Sequence, residues 1–141
     1  MDHVVYLHSK DNELEFLYSK QKTMLIRGAA GRKMPYGRVS PGDTLYFIQN
    51  NGEGLILAKA EVQDVINSEK MTPEASTALV DAYATQLSLS KPQYERWAGK
   101  RYLVLIEIHN VEEVDPFPID KSAYGNMDDW LPVADIESVK G

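Results

Sequence analysis

Short apolar runs broken by turn residues set the pattern of this chain. Val4 to Leu7 is β-prone and predicts a first strand. Asp11 or Ser9 is placed to cap a helix through Asn12 to Tyr18. Its acids fall in the first turns, and Lys20 and Lys22 fall at or beyond its end, as the helix dipole favours. Leu14, Leu17 and Tyr18 share one face and predict a core contact. Met24 to Arg27 predicts a second strand, and a Gly-rich loop from Gly28 to Arg38 follows. Ser40-Pro41-Gly42-Asp43 is a turn, Thr44 to Gln49 a strand, and the stretch 50–54 a hairpin turn. The returning strand, Leu55 to Val65, alternates Ala58, Ala60 and Val62 against Lys59, Glu61 and Gln63.

Thr72-Pro73 predicts an N-cap with Pro in the first helical turn, and a helix to about Leu87. Ala75, Ala78, Leu79, Ala82 and Tyr83 form its apolar stripe. Ser90 to Gln93 has the form of a capping box for a shorter helix ending near Trp97. Arg101 to Val111 is a strand with Leu103 and Leu105 alternating against Val104, Ile106 and Ile108. Val114 to Ile119 carries two prolines and predicts at most an edge strand. A polar loop spans 120–129, and Leu131 to Val139 is a last strand or short helix. Hairpins dominate without β-α-β alternation. This order predicts an α+β fold: a small antiparallel or mixed sheet, curled or closed, with helices at its side or ends.

The chain has 141 residues, the size of one domain with one ordinary core. It has no cysteine, which excludes a disulfide framework, a thiolate metal site and a Cys nucleophile. The start of the chain lacks a signal-like pattern, and no apolar run approaches transmembrane length. We therefore expect a cytoplasmic protein with no membrane partner.

Charge changes the picture locally. The net charge is −6, yet Phe16 to Gly42 holds Lys20, Lys22, Arg27, Arg32, Lys33 and Arg38 and no acid. That stretch is +6, so the remainder is −12. An island of this kind focuses field on an anion whatever the global charge. Gly28-x-x-Gly31 before Arg32-Lys33 resembles the backbone clamp of KH domains, although that clamp joins two helices and a strand precedes this loop. A Walker phosphate loop is excluded by spacing. Tyr36, inside the loop, is the aromatic best placed to stack on a base. His3, His8 and His109 lack metal-ligand spacing and read as packing or surface residues. No metal and no cofactor is expected. The neighbouring acids Glu112-Glu113 and Asp128-Asp129 read as solvated turns.

The segment Leu17 to Arg27 resembles the signature of the ASCH superfamily, within the PUA-like folds. That signature is Gly-x-Lys-x-x-Glu-x-Arg at the end of the first helix and along the next strand. The Gly42-Asp43 turn, the strand through Tyr46-Phe47 and the returning Ala58 to Val62 strand continue the likeness, which covers about Val4 to Val65. The stretch Lys91 to Val114 is similar, less specifically, to archaeal PUA-like proteins. The resemblance implies one ASCH/PUA-like domain over residues 1–141: a small, mostly antiparallel β-barrel with two to three flanking helices and a cleft beside the basic strand. It also implies RNA or modified-nucleoside recognition. Some members hydrolyse acyl groups from modified cytidine with a Lys, a Thr and a distant Glu.

On the motif, Lys22 matches the Lys, Arg27 the Arg, Lys20 the Gly, and Leu25 the Glu/Thr position. Leu25 offers no proton and no lone pair. For the distant Glu, Glu69 and Glu74 are the candidates. The expectation is a binding domain for RNA or a nucleotide-like small molecule. Lys20, Lys22, Arg27, Arg32, Lys33 and Arg38 would hold phosphate, with Tyr36 stacking. The alternatives are a hydrolase on a modified nucleoside using Lys22, and a protein-interaction module for an acidic partner.

Overall fold

The structure is a computed structural model and describes residues 1–49, 53–120 and 129–141. Its strands are β1 (Asp2–Leu7), β2 (Met24–Ala29), β3 (Thr44–Gln49), β4 (Leu55–Asn67), β5 (Tyr102–Pro118) and β6 (Trp130–Ala134). Its α-helices are α1 (Glu13–Tyr18), α2 (Pro73–Ala82), α3 (Ala84–Leu87) and α4 (Lys91–Trp97). The described strands form one sheet in the order β2-β5-β4-β3-β1-β6. β1 runs parallel to β3, and the other pairs are antiparallel.

The sheet is a curled half-barrel. Register shifts between Ile56/Ala58, Lys59/Glu61 and Val62/Asp64 bend the β4–β5 pair, as extra residues in a ladder do. The curl brings both edges of the sheet into one core. Leu25 of β2 and Trp130 of β6 share a cluster with Val5, Phe47, Ala60 and Ile106. Arg27 links β2 to β1 across the curl. Its Nη2 donates to the Tyr6 carbonyl at 2.9 Å, and its Nη1 donates to the Ile26 carbonyl at 2.8 Å. Outside the curl, Val80, Leu87 and Trp97 from α2–α4 cover Met24, Ile26, Leu103 and Leu105. At the other end Val133, Ile136 and Val139 cover Val4, Ile48 and Ile56.

The α1 cap departs from expectation. Asn12, in a left-handed conformation, is the N-cap and makes no side-chain cap bond. Asp11 instead accepts from the Ser90 hydroxyl at 2.9 Å, tying α1 to the start of α4. Tyr18 is exposed rather than core. The long helix breaks at Tyr83 into α2 and α3. Its buried face is Ser76 and Val80, while Ala75, Ala78 and Ala82 are exposed, because a methyl has little area to gain by burial. The capping box at Ser90 and Gln93 is formed. The Pro-containing segment joins β5, and Pro118 pairs with Leu55. β2 covers β5 only from Tyr102 to Glu107, so the prolines lie where the far side of β5 has no described partner. The hairpin residues 50–52 and most of the expected polar loop, 121–128, lie outside the described residues.

Candidate nucleotide cleft

Lys22 owes its position to the end of α1. Lys20 follows the Ser19 C-cap with φ +64°. This left-handed residue is the usual helix stop, normally a glycine. The chain then turns, and the Lys22 amide donates to the Phe16 carbonyl at 3.1 Å. The Lys22 side chain runs inward and is 2% exposed. Its ammonium donates to the Leu87 carbonyl at 2.6 Å and lies 4.0 Å from Glu13 Oε2. Burial, helped by the nearby Arg27, pushes its pKa down to about 8 against the opposing pull of Glu13 and Asp11. Lys22 and Glu13 line a cleft of about 200 Å³ with His8, Arg27, Arg96 and Trp97.

Arg27 lies between two indoles, 6.0 Å from the Trp97 centroid and 5.6 Å from that of Trp130. Its Nε is 3.1 Å from Asp129 Oδ2 but off the line of a hydrogen bond, so that contact is Coulombic. Arg96 lies over the same Trp97 ring at 4.6 Å. It donates from Nη1 to His8 Nε2 at 2.8 Å, which requires a lone pair on that nitrogen. A second cleft of about 300 Å³ shares Arg27, Arg96 and Trp97, adds Lys33 and Lys100, and is floored by Gly28, Ala29 and Ala30. A Cβ at Gly28 would sit 2.6 Å from Leu103 Cδ2 and 3.0 Å from the Tyr102 carbonyl. Glycine there lets β2 lie close on β5, a packing role rather than a phosphate clamp.

The basic island is divided by the fold. Lys22 and Arg27 line the first cleft, and Arg27 and Lys33 the second. Lys20 lines neither cleft but a further groove with Thr23 and His109, which Lys22 also borders. Arg32 is exposed and lies over Tyr36 and Tyr102, 5.6 and 5.7 Å from their centroids. Tyr36 packs edge-on to Tyr102 and donates its hydroxyl to the Ser68 carbonyl. Arg38 is exposed and lines neither cleft. Glu69 and Glu74 are exposed and lie outside the Lys22 cleft, where the acid beside Lys22 is Glu13. Glu13 carried a sequence signal: it lies four residues before Leu17 and so on the same buried helix face. His8, Arg96 and Lys100 carried none, because α4 and the loop after it reach the cleft only through tertiary packing.

No family model and no curated protein matches the sequence. Solved structures do. A tyrosine-to-phenylalanine variant of ZmASCH from Zymomonas mobilis superposes with a TM-score of 0.69 at 15% identity, over 97% of this chain and 93% of that one. A serine-to-alanine variant of ZmASCH gives 0.69 at 15% identity, over 97% and 91%. The structure described simply as ASCH from that organism gives 0.64 at 15% identity, over 90% and 81%. The chain has the ASCH fold. Within it, the left-handed Lys20 stands where the ASCH motif has Gly, which explains in backbone terms why that position favours glycine. Leu25, at the motif's Glu/Thr position, is fully buried in the interior of the curl. Among the described residues, no helix is long and apolar enough to cross a membrane.

Proposed function

We propose that this ASCH-fold domain binds RNA or a nucleotide-like ligand in the two adjoining clefts. One observation carries the reading: both clefts are lined by Arg27, Arg96 and Trp97, so a single ligand can use an indole and a set of cations together. A base or nucleoside fits beside Trp97, and phosphate fits among Lys33, Arg96 and Lys100. Arg27 has its Nη groups on backbone carbonyls and Asp129 beside it, so it supplies a fixed positive floor rather than a mobile clamp. Asp129 in turn disfavours a phosphate directly against Arg27.

Intrinsic fluorescence tests this. The sequence has two tryptophans; both are buried, Trp97 at 8% and Trp130 at 1% exposure, and of the two Trp97 lines the clefts. Titration with ribonucleoside monophosphates should quench the emission of Trp97 and leave that of Trp130. Trp97→Phe should remove the quench. An unquenched wild type up to millimolar nucleotide would refute the reading.

A second reading, hydrolysis of a modified nucleoside, is favoured by the buried Lys22 with its pKa near 8 beside Glu13. Leu25 counts against it, since a fully buried apolar side chain takes no part in proton transfer. A panel of acylated nucleosides should give product at the background rate. Turnover that disappears in Lys22→Ala would establish the hydrolytic reading instead.

A further inference from the structure

The second cleft leads onward along β2. Gly28 pairs with Leu103 and Ala29 with Tyr102, so the small-residue floor of the cleft ends beside the Tyr102 ring. Over that ring, and over Tyr36, lies the Arg32 guanidinium. The platform beneath it is fixed. The two rings meet edge-on at 5.7 Å with an interplanar angle of 85°, and the Tyr36 hydroxyl is bonded to the Ser68 carbonyl. The other side of Arg32 faces solvent. A Cβ placed at Gly31 meets nothing within 4 Å, so the space next to Arg32 is open. The two rings hold the guanidinium by cation–π attraction, and a planar guanidinium exposed to solvent can stack on a nucleobase, which a lysine cannot offer.

We propose that the ligand is a nucleotide within a single RNA strand, and that the outward face of Arg32 stacks on the base next to the one in the cleft. This rests on the reading of the clefts as a nucleotide site. It moves the stacking role from the Tyr36 ring, which is engaged from beneath, to the guanidinium above it.

The test compares the four ribonucleoside 5′-monophosphates with the matching single-stranded homohexamers on the full chain. The best hexamer should bind at least tenfold more tightly than its monophosphate. Arg32→Lys keeps the charge and loses the plane. It should weaken hexamer binding by about 5- to 150-fold, the range for one stacked base. Monophosphate affinity and the salt dependence of hexamer binding should not change. A hexamer that binds no better than the monophosphate overturns the strand proposal and leaves the nucleotide cleft standing. So does an Arg32→Lys variant that binds the hexamer as wild type does. Binding of neither probe overturns both.

Discussion

Lys22 donates its ammonium proton to the carbonyl of Leu87 at 2.6 Å. That bond ties the entry to β2 to the end of α3 and leaves a cation almost without water. Burial is the main cause of its lowered pKa, and Glu13 opposes the shift. NMR titration of the lysine side chains should therefore find one group titrating at about 8. In Glu13→Gln that value should fall further. The sign for stability follows from proton counting. Between about 8 and 10.5 the unfolded chain holds the Lys22 proton and the folded chain does not, so the Lys22 contribution to stability rises with pH through that window. Lys22→Met should lose this rise, about 3 kcal/mol at most, when denaturation curves of the two proteins are subtracted.

Arg27 is the clasp between β2 and β1, and truncating it removes the hydrogen bonds to the Ile26 and Tyr6 carbonyls. Arg27→Ala should cost about 2–4 kcal/mol in urea unfolding. Lys33→Ala and Lys100→Ala, at exposed positions, should each stay within about 0.5 kcal/mol of wild type. A near-neutral Arg27→Ala would mean that the apolar core alone holds the curl shut.

Much of this was legible in the residues. Alternation located Ala58, Ala60 and Val62 on the inner face of β4 and set Leu103 and Leu105 against Val104 and Ile106, as the core clusters bear out. The ASCH motif led to Lys22 and Arg27 as neighbours. What stayed hidden was non-local. The curl that brings Trp130 against Leu25 comes from bulges in β4 and β5, which leave no composition signal. The division of the basic island was hidden too, since six cations close in sequence are spread over two clefts, one groove and a solvent face. The helix stripe was misplaced because alanines fit any face, while the larger Val80 and Leu79 decide which side packs.

Lys20 occupies a left-handed conformation at the end of α1, which costs a residue with a Cβ about 1–2 kcal/mol. Glycine loses that strain and gains unfolded-state entropy. Lys20→Gly should therefore be neutral to about 1 kcal/mol stabilising, unlike most lysine-to-glycine changes. Thermal unfolding of the variant at neutral pH measures it, and a clear loss of stability would show the turn to be relaxed.

A buried chain of polar groups predicts the acid limb of stability. Trp130 Nε1 donates to His3 Nδ1 at 3.1 Å, so Nε2 carries the proton toward Asp43 Oδ2 at 2.8 Å. Burial holds the His3 pKa below its usual 6.5, against the pull of Asp43. Burial would raise Asp43, but hydrogen bonds from His3 and the Ser40 amide outweigh it and hold its pKa below 3.8. Both groups bind protons more readily when unfolded. The His3 contribution is whole above pH 6.5 and is lost as pH falls through the lower folded value; that of Asp43 is lost below 3.8. His3→Gln should be less stable than wild type at pH 7 and should show a shallower fall between pH 6.5 and 4 in urea titrations.

The account stands most directly on how RNA binding depends on salt. Lys33, Arg96 and Lys100 are the cations assigned to phosphate, so about three phosphates are neutralised. Counterion release on single strands then predicts a log-log slope of about −2 for hexamer affinity against salt concentration. The triple change of Lys33, Arg96 and Lys100 to Gln should abolish that slope together with the binding. A wild type that does not bind, or a triple variant that binds with the same affinity and slope, would contradict the assignment of these clefts to a nucleic-acid ligand.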